Sequence, residues 1–408
     1  MAGKVLIERA GMRETALVPH RSEAPMPPKI SKRSDIPAFR VMDVMTAAAA
    51  LEAQGRHIIH MEVGEPGTPT PARVIDAAER TMRAGRGGYT VALGITALRE
   101  RIALHYGEAY GADVDPKRVI VTTGSSAAFT LAFTACFDIG DRMAIGRPCY
   151  PPYERIMRTL GIEAVELRTT LADNFQPTPA HLAFVDRLDG LLVASPSNPT
   201  GTMIDAGRMA ALGVACQERG VRLISDEIYH RMVFDGDEVT ALSFNPEAVV
   251  INSFSKYYCM TGWRIGWMVV PEALVRPVER LAQNLFISPP TVAQHAALAA
   301  FECAAELDER VARYKANRDL LLAELEPLGL RFANPQGAFY LYADVSRFTG
   351  DSAAFCRAML EGAGVATVPG TDFDEVDGDR FVRMCFAGTG EDMAEAARRL
   401  KAWLPGQG

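Results

Sequence analysis

The chain contains seven lysines, Lys4, Lys29, Lys32, Lys117, Lys256, Lys315 and Lys401, and six of them stand in polar or terminal surroundings. Lys256 alone follows an aliphatic run, AVVINSFSK. An ammonium at the end of a buried strand is costly unless it pairs or gives up its proton, moving from an ordinary pKa of about 10.4. A lysine that must be neutral to attack an aldehyde needs such a place. A lysine snorkelling to the surface at a sheet edge would carry similar flanks, so this segment by itself leaves both readings open. Asp226 ends a second apolar run, RLISD, where a carboxylate needs a cationic partner or serves as a helix N-cap. The common alternatives are missing: the chain has no G-x-x-x-x-G-K, H-E-x-x-H or G-x-S-x-G. His57 and His60 flank a strand start with no further ligand nearby in sequence. The seven cysteines (Cys136, Cys149, Cys216, Cys259, Cys303, Cys356 and Cys385) are scattered without C-x-x-C spacing. Neither a metal site nor a disulfide framework is expected.

The elements that must position Lys256 and Asp226 alternate along the chain. PAFRVMDVMTAAAALEAQG reads as a helix closed by Gly55, and IIHMEVG as a short strand. RVIVTTG, RMAIG, GLLVASPS, RLISDE, AVVINSFS and RIGWMVV read as short aliphatic strands, and SSAAFTLAFTACF as a helix. Short apolar strands flanked by helical patterns predict an α/β fold with a mainly parallel sheet covered on both faces. A long helical region begins at VERLAQNLF and runs through LLLAEL. The remainder mixes strands (GAFYLYADV, RFVRMCFA) with helices (SAAFCRAMLEGAG, EDMAEAARRLKAWL), which predicts a smaller α+β unit. At 408 residues the chain exceeds what one hydrophobic core usually organises. The expected division is a tail over 1–35, broken by Pro25, Pro27 and Pro28; the first part of a small domain over 36–65; a large domain over 66–298; and the rest of the small domain over 299–408.

Several segments, in order and spread over most of the chain from Pro37 onward, resemble the class I aminotransferases of pyridoxal-phosphate fold type I. SFSKYYCMTGWRIGW is similar to their lysine segment, S-x-S-K followed by G-x-R-x-G, on Ser253, Ser255, Lys256, Gly262, Arg264 and Gly266. The resemblance implies a large domain with a seven-stranded sheet and a small domain built from both chain ends. It also implies pyridoxal 5′-phosphate held on Lys256 as an aldimine. Arg264 would then grip the phosphate as a fork, with the hydroxyls of Ser253 and Ser255 adding hydrogen bonds. Gly124, Ser125 and Ser126 in VTTGSSAAF would open a helix whose free N–H groups cradle the same phosphate. Asn198 in ASPSNPTG and Tyr229 in SDEIY would share the cofactor's phenolate oxygen, and Asp226 would pair with its ring nitrogen. Tyr150 in RPCYPPY would stack on the ring. Gly64 in VGEP would let backbone approach the substrate, and Arg383 in RFVRMCFA would hold the α-carboxylate. Tyr89 would reach the phosphate of a neighbouring subunit, implying a homodimer with shared sites. Taken singly, several of these have plainer readings: a turn glycine at Gly64, a loop aromatic at Tyr150, a packed tyrosine at Tyr89, a surface strand arginine at Arg383.

The activity implied is transfer of an amino group from an L-amino acid to a 2-oxo acid in two ping-pong halves, with Lys256, Asp226 and Tyr229 as the catalytic residues. A β C–S lyase on the same fold would need identical cofactor residues and is the alternative. A ligand-binding regulator would need a DNA-binding domain that some 35 polar residues cannot supply. The chain carries 43 basic and 50 acidic residues, a net charge of −7, so no basic excess favours nucleic acid or an anionic membrane. No apolar run reaches membrane-spanning length, and the first residues lack the apolar core of a secretory signal. A cytoplasmic location is expected. No basic residue can be assigned to a substrate side-chain carboxylate, so a neutral or hydrophobic donor is expected over an acidic one. Ile36, Pro37, Phe39, Tyr150, Phe286 and Ile287 are the expected pocket walls.

Overall fold

A computed structural model describes residues 28–38 and 40–407, and most of the expected tail lies outside them. Seven strands form the main sheet: β1 (Val119–Thr122), β2 (Arg142–Arg147), β3 (Glu163–Arg168), β4 (Gly190–Ala194), β5 (Arg222–Asp226), β6 (Val249–Ser253) and β7 (Gly266–Val269). Their order across the sheet is β1-β7-β6-β5-β4-β2-β3. Strands β6, β5, β4, β2 and β3 pair in parallel, while β7 runs antiparallel to both β6 and β1.

Period-two alternation makes both faces of this sheet apolar. Ile120, Ile145, Leu192, Ile224, Ile251 and Met268 pack with Phe129 and Phe133 of the helix Ser125–Cys136 on one face. Val121, Leu191, Val193, Leu223, Val250 and Trp267 enter the larger core on the other. Six of the seven strands are those expected from sequence. The seventh, β3, reads E-A-V-E-L-R and is largely exposed. An edge strand protected by charge has no aliphatic run to reveal it.

Strands from near both ends of the described chain pair outside the main sheet. Ile59–His60 pairs in parallel with Val365–Ala366. A four-stranded antiparallel sheet follows the order Val368–Pro369, Phe381–Cys385, Tyr340–Asp344, Arg331–Phe332. The expected N-terminal helix is present as Arg40–Glu52, and Gly55 beyond it takes φ +83°. The long helical region is three helices, Glu272–Leu285, Thr291–Ala300 and Ala304–Leu325. Pro289 and Pro290 lie in the first break, where proline cannot continue a helix. Among the described residues no helix is long and apolar enough to cross a membrane.

Candidate active site

Parallel strands end on a common edge, and the loops beyond it are where an open α/β sheet binds ligands. Here β1, β2, β4, β5 and β6 end together. The antiparallel β7 begins at that same edge, so Arg264, two residues before it, joins them. Register sharpens this: Gly266 is paired with Thr122 on one side and Ser253 on the other. The turn after β1, the lysine segment after β6 and Arg264 are thereby drawn together. A cavity of about 280 Å³ opens there, lined among others by Gly64, Ser125, Ser126, Tyr150, Asn198, Asp226, Tyr229, Ser255, Lys256, Arg264 and Arg383.

One end of the cavity suits a phosphate. The helix Ser125–Cys136 starts at Gly124, and no side chain caps its first turn. Its leading N–H groups can therefore meet an anion, and the helix dipole favours one. Gly124 has φ +82°, and a Cβ there would stand 2.5 Å from Arg264 Nη2. Glycine is what lets the guanidinium close on the helix start. Arg264 itself takes φ +52° and donates from Nη1 to Thr261 O at 2.8 Å. Ser255 faces the cavity. Ser253 does not: its hydroxyl lies 2.9 Å from Ser255 Oγ and 3.1 Å from the accepting Ile265 O, so it shapes the turn and does not contribute to the lining.

Asp226 is 3% exposed and is raised to about 6, chiefly because burial penalises its charge. Its Oδ1 accepts from Ile228 N at 3.0 Å, and its Oδ2 accepts a short hydrogen bond from the Tyr153 hydroxyl. No basic side chain among the described residues forms an ion pair with it. Lys256 Nζ donates to Gly64 O at 2.5 Å, and burial lowers it to about 8. Arg383 is 2% exposed. It donates from Nη1 to Asn198 Oδ1 at 3.1 Å and from Nη2 to the Glu62 carbonyl, lies 4.6 Å over the Tyr340 ring, and leaves a buried Nε without a partner. Because Asn198 Oδ1 accepts from Arg383, its Nδ2 is the end left to donate. The Tyr229 and Tyr340 hydroxyls are hydrogen-bonded to each other at 2.8 Å.

Two expectations shift. Ile36 and Pro37 line a separate apolar cavity with Ile156 and Leu160, and neither Phe286 nor Ile287 lines the site in the single chain. Phe39 lies outside the described residues. The wall near the N-terminal helix is instead Val41, Met42 and Met45, one helical turn further along. Tyr89 is 85% exposed and away from its own chain's cavity. Sequence reading missed Tyr153 and Tyr340. Tyr153 stands three residues after Tyr150 at a helix start. Tyr340 shares a strand face with Tyr342 by period two.

The sequence pattern described as "Aminotransferase class I and II" matches residues 56–400. The chain is a class I and II aminotransferase. It is 47% identical over 388 residues to the valine–pyruvate aminotransferase of Mycobacterium tuberculosis, covering 94% of this chain and all of the relative. It is 34% identical to the aspartate aminotransferase of Thermotoga maritima, covering 92% of this chain and 99% of that one. A crystal structure of a putative aminotransferase from Silicibacter pomeroyi superposes with a TM-score of 0.88 at 51% identity, over 93% of this chain and all of that one.

The cofactor of this aminotransferase is pyridoxal 5′-phosphate, and the cavity fits it. An uncapped helix start beside an arginine suits the phosphate. A buried carboxylate without an ion-pair partner suits a protonated ring nitrogen, and an amine with a lowered pKa suits the aldehyde.

Proposed function

We propose that this aminotransferase takes an L-amino acid with a neutral, chiefly aliphatic side chain as donor and a small 2-oxo acid such as pyruvate as acceptor. The observation that carries the reading is the pairing of one buried arginine, Arg383, with an apolar wall of Val41, Met42 and Met45. Arg383 suits the α-carboxylate that every donor shares, and its orphaned Nε leaves a donor to spend on it. Arg264 is committed to the phosphate end. A second substrate carboxylate would need its own cation to offset desolvation, and the described residues place no third arginine on the cavity. The valine–pyruvate relative, nearer in sequence than the aspartate enzymes, supports the same choice.

Pyridoxal phosphate, when bound, supplies a reactive aldehyde and an electron-withdrawing ring. The chain's residues do the rest. Ser125, Ser126, Ser255 and Arg264 hold the phosphate, Tyr150 covers the ring, and Asn198 with Tyr229 orients it. Asp226 keeps a proton on the ring nitrogen. Lys256 would carry the cofactor at rest, and its freed Nζ would take the donor's Cα proton as general base and deliver it, as general acid, to the cofactor carbon bearing the nitrogen. The 2-oxo product leaves before the acceptor binds, so kinetics are ping-pong. A second copy of the chain completes the site: Tyr89 and Val91 on one loop, and Leu285, Phe286 and Ile287 at and just beyond the end of the helix Glu272–Leu285, are exposed, while the next helix holds the loop through Thr291 Oγ1 to Gly88 O at 2.5 Å and Gln294 Nε2 to Thr90 Oγ1 at 3.0 Å.

Steady-state kcat/KM for valine, alanine, leucine, methionine, phenylalanine, aspartate and glutamate with pyruvate tests the donor class. Valine or another neutral donor should exceed aspartate by roughly tenfold or more, about 1.4 kcal/mol of transition-state binding. An aspartate lead of that size would overturn it.

A further inference from the structure

We propose that Tyr153 is a positioning residue that keeps Asp226 ionised and aimed at the ring nitrogen, through the hydrogen bond its hydroxyl donates to Asp226 Oδ2. The inference rests on the reading of Asp226 given above. The geometry is a locked one. Asp226 shares the sheet face of Ile224, and Tyr153 reaches it from the helix Pro152–Leu160 that packs on that face. Two aromatic neighbours fix the phenol: Phe129 lies edge-on at 5.1 Å and Tyr150 edge-on at 5.4 Å. Tyr153 is 2% exposed, which shields its hydroxyl from bulk water. The other oxygen of Asp226 is held by Ile228 N. One backbone N–H and one phenol therefore hold the carboxylate from two directions.

This bond matters because, beyond it and the Ile228 N–H, little nearby secures the charge. Glu227, the next residue, opposes ionisation of Asp226, and His230 only partly offsets it. Tyr150 and Tyr229 are neutral. Lys256, Arg264 and Arg383 face the cavity from other walls without forming an ion pair with Asp226. A protonated Asp226 cannot pair with a protonated ring nitrogen. A hydrogen bond to the ionised form lowers a carboxyl pKa, and burial raises it. Tyr153 opposes the burial and leaves the balance near 6. The two tyrosines at positions 150 and 153 thus divide the work along one helical turn. One faces the ring, and the other holds the acid behind it.

The test uses pyridoxamine 5′-phosphate, which has no aldehyde, so Lys256 attachment does not enter. Its dissociation constant is measured from pH 5 to pH 9 on the apoenzyme of the parent, Tyr153→Phe and Asp226→Asn. The ligand's own titrations are common to all three, and the differences isolate the protein. Tyr153→Phe should raise the Asp226 pKa by about one unit. Binding should then be roughly tenfold weaker than the parent's near pH 5 and within about twofold of it above pH 8. A melting temperature close to the parent's at pH 8 shows that the fold is intact. If Asp226→Asn abolishes the acidic limb and Tyr153→Phe leaves it unmoved, the role of Tyr153 is wrong while that of Asp226 stands. If Asp226→Asn binds as the parent does throughout, the reading of Asp226 fails and takes the inference with it. A uniform loss at every pH in Tyr153→Phe would mean packing alone and would equally overturn it.

Discussion

Lys256 shows how far a single residue's surroundings can set its chemistry. Burial in the cavity lowers it to about 8, from 10.5. At pH 7 that leaves about one amine in ten neutral, against roughly one in three thousand for an unperturbed lysine. Only the neutral form attacks an aldehyde, so the sign is fixed. The second-order rate of cofactor attachment to the apoenzyme should climb about tenfold per pH unit below 8 and level off above it. Stopped-flow absorbance checks this, and a rate still climbing steeply between pH 9 and pH 10 would contradict it. In sequence, the aliphatic strand before Lys256 suited a snorkelling lysine as well as a buried one, and it was the S-x-S-K and G-x-R-x-G spacing around it, resembling the class I aminotransferases, that singled it out. Asp226, a carboxylate closing an apolar run, was open to an N-cap reading until the same resemblance, through S-D-E-I-Y, pointed to the ring nitrogen. Tyr153 was not legible. A tyrosine that follows two prolines at the start of a helix carries no mark of the acid 73 positions away that it meets, and only the packing of helix on sheet brings the two together.

At the scale of elements, the site depends on two backbones approaching where side chains would keep them apart. A Cβ at Gly266 would stand 2.9 Å from Asn252 O, 3.1 Å from Gly124 C and 3.1 Å from Ser125 N, all of them backbone atoms that cannot swing away. A Cβ at Gly262, in the same motif, would meet nothing within 4 Å. Gly266→Ala should therefore cost about 1–3 kcal/mol of stability and weaken cofactor binding, whereas Gly262→Ala should change stability by about 0.5 kcal/mol or less. Urea unfolding of the two variants, with cofactor titration, compares them. Equal effects would mean that the close approach is not what Gly266 provides. Strands with continuous aliphatic runs were readable from sequence, since a sheet buried on both faces has no other way to be built. The charged edge strand Glu163–Arg168 was not readable, because its outward alternation looks like loop. The walls contributed by Val41, Met42 and Met45 were misplaced by one turn. Helical periodicity gives the face of a helix but not where along it the cavity lies.

For the whole molecule, the single chain leaves Tyr89 and the neighbouring apolar loops facing solvent, which is the ground for placing a second copy there. Tyr89→Phe and Lys256→Ala subunits, each impaired alone, should regain activity when unfolded together and refolded as a mixture, because one of the hybrid's two sites would then carry neither change. Sedimentation showing an active monomer, or a mixture no better than its parts, would rule out the shared site. Everything at these three scales serves one reactive amine, and a direct measurement addresses it. The yellow holoenzyme is reduced with borohydride, digested, and the pyridoxyl-bearing peptide sequenced. The label should fall on Lys256, in the peptide containing Ser253 and Ser255, with none recovered from Lys256→Ala. A label on any of the other six lysines, or full turnover in Lys256→Ala, would contradict the assignment from which the rest is built.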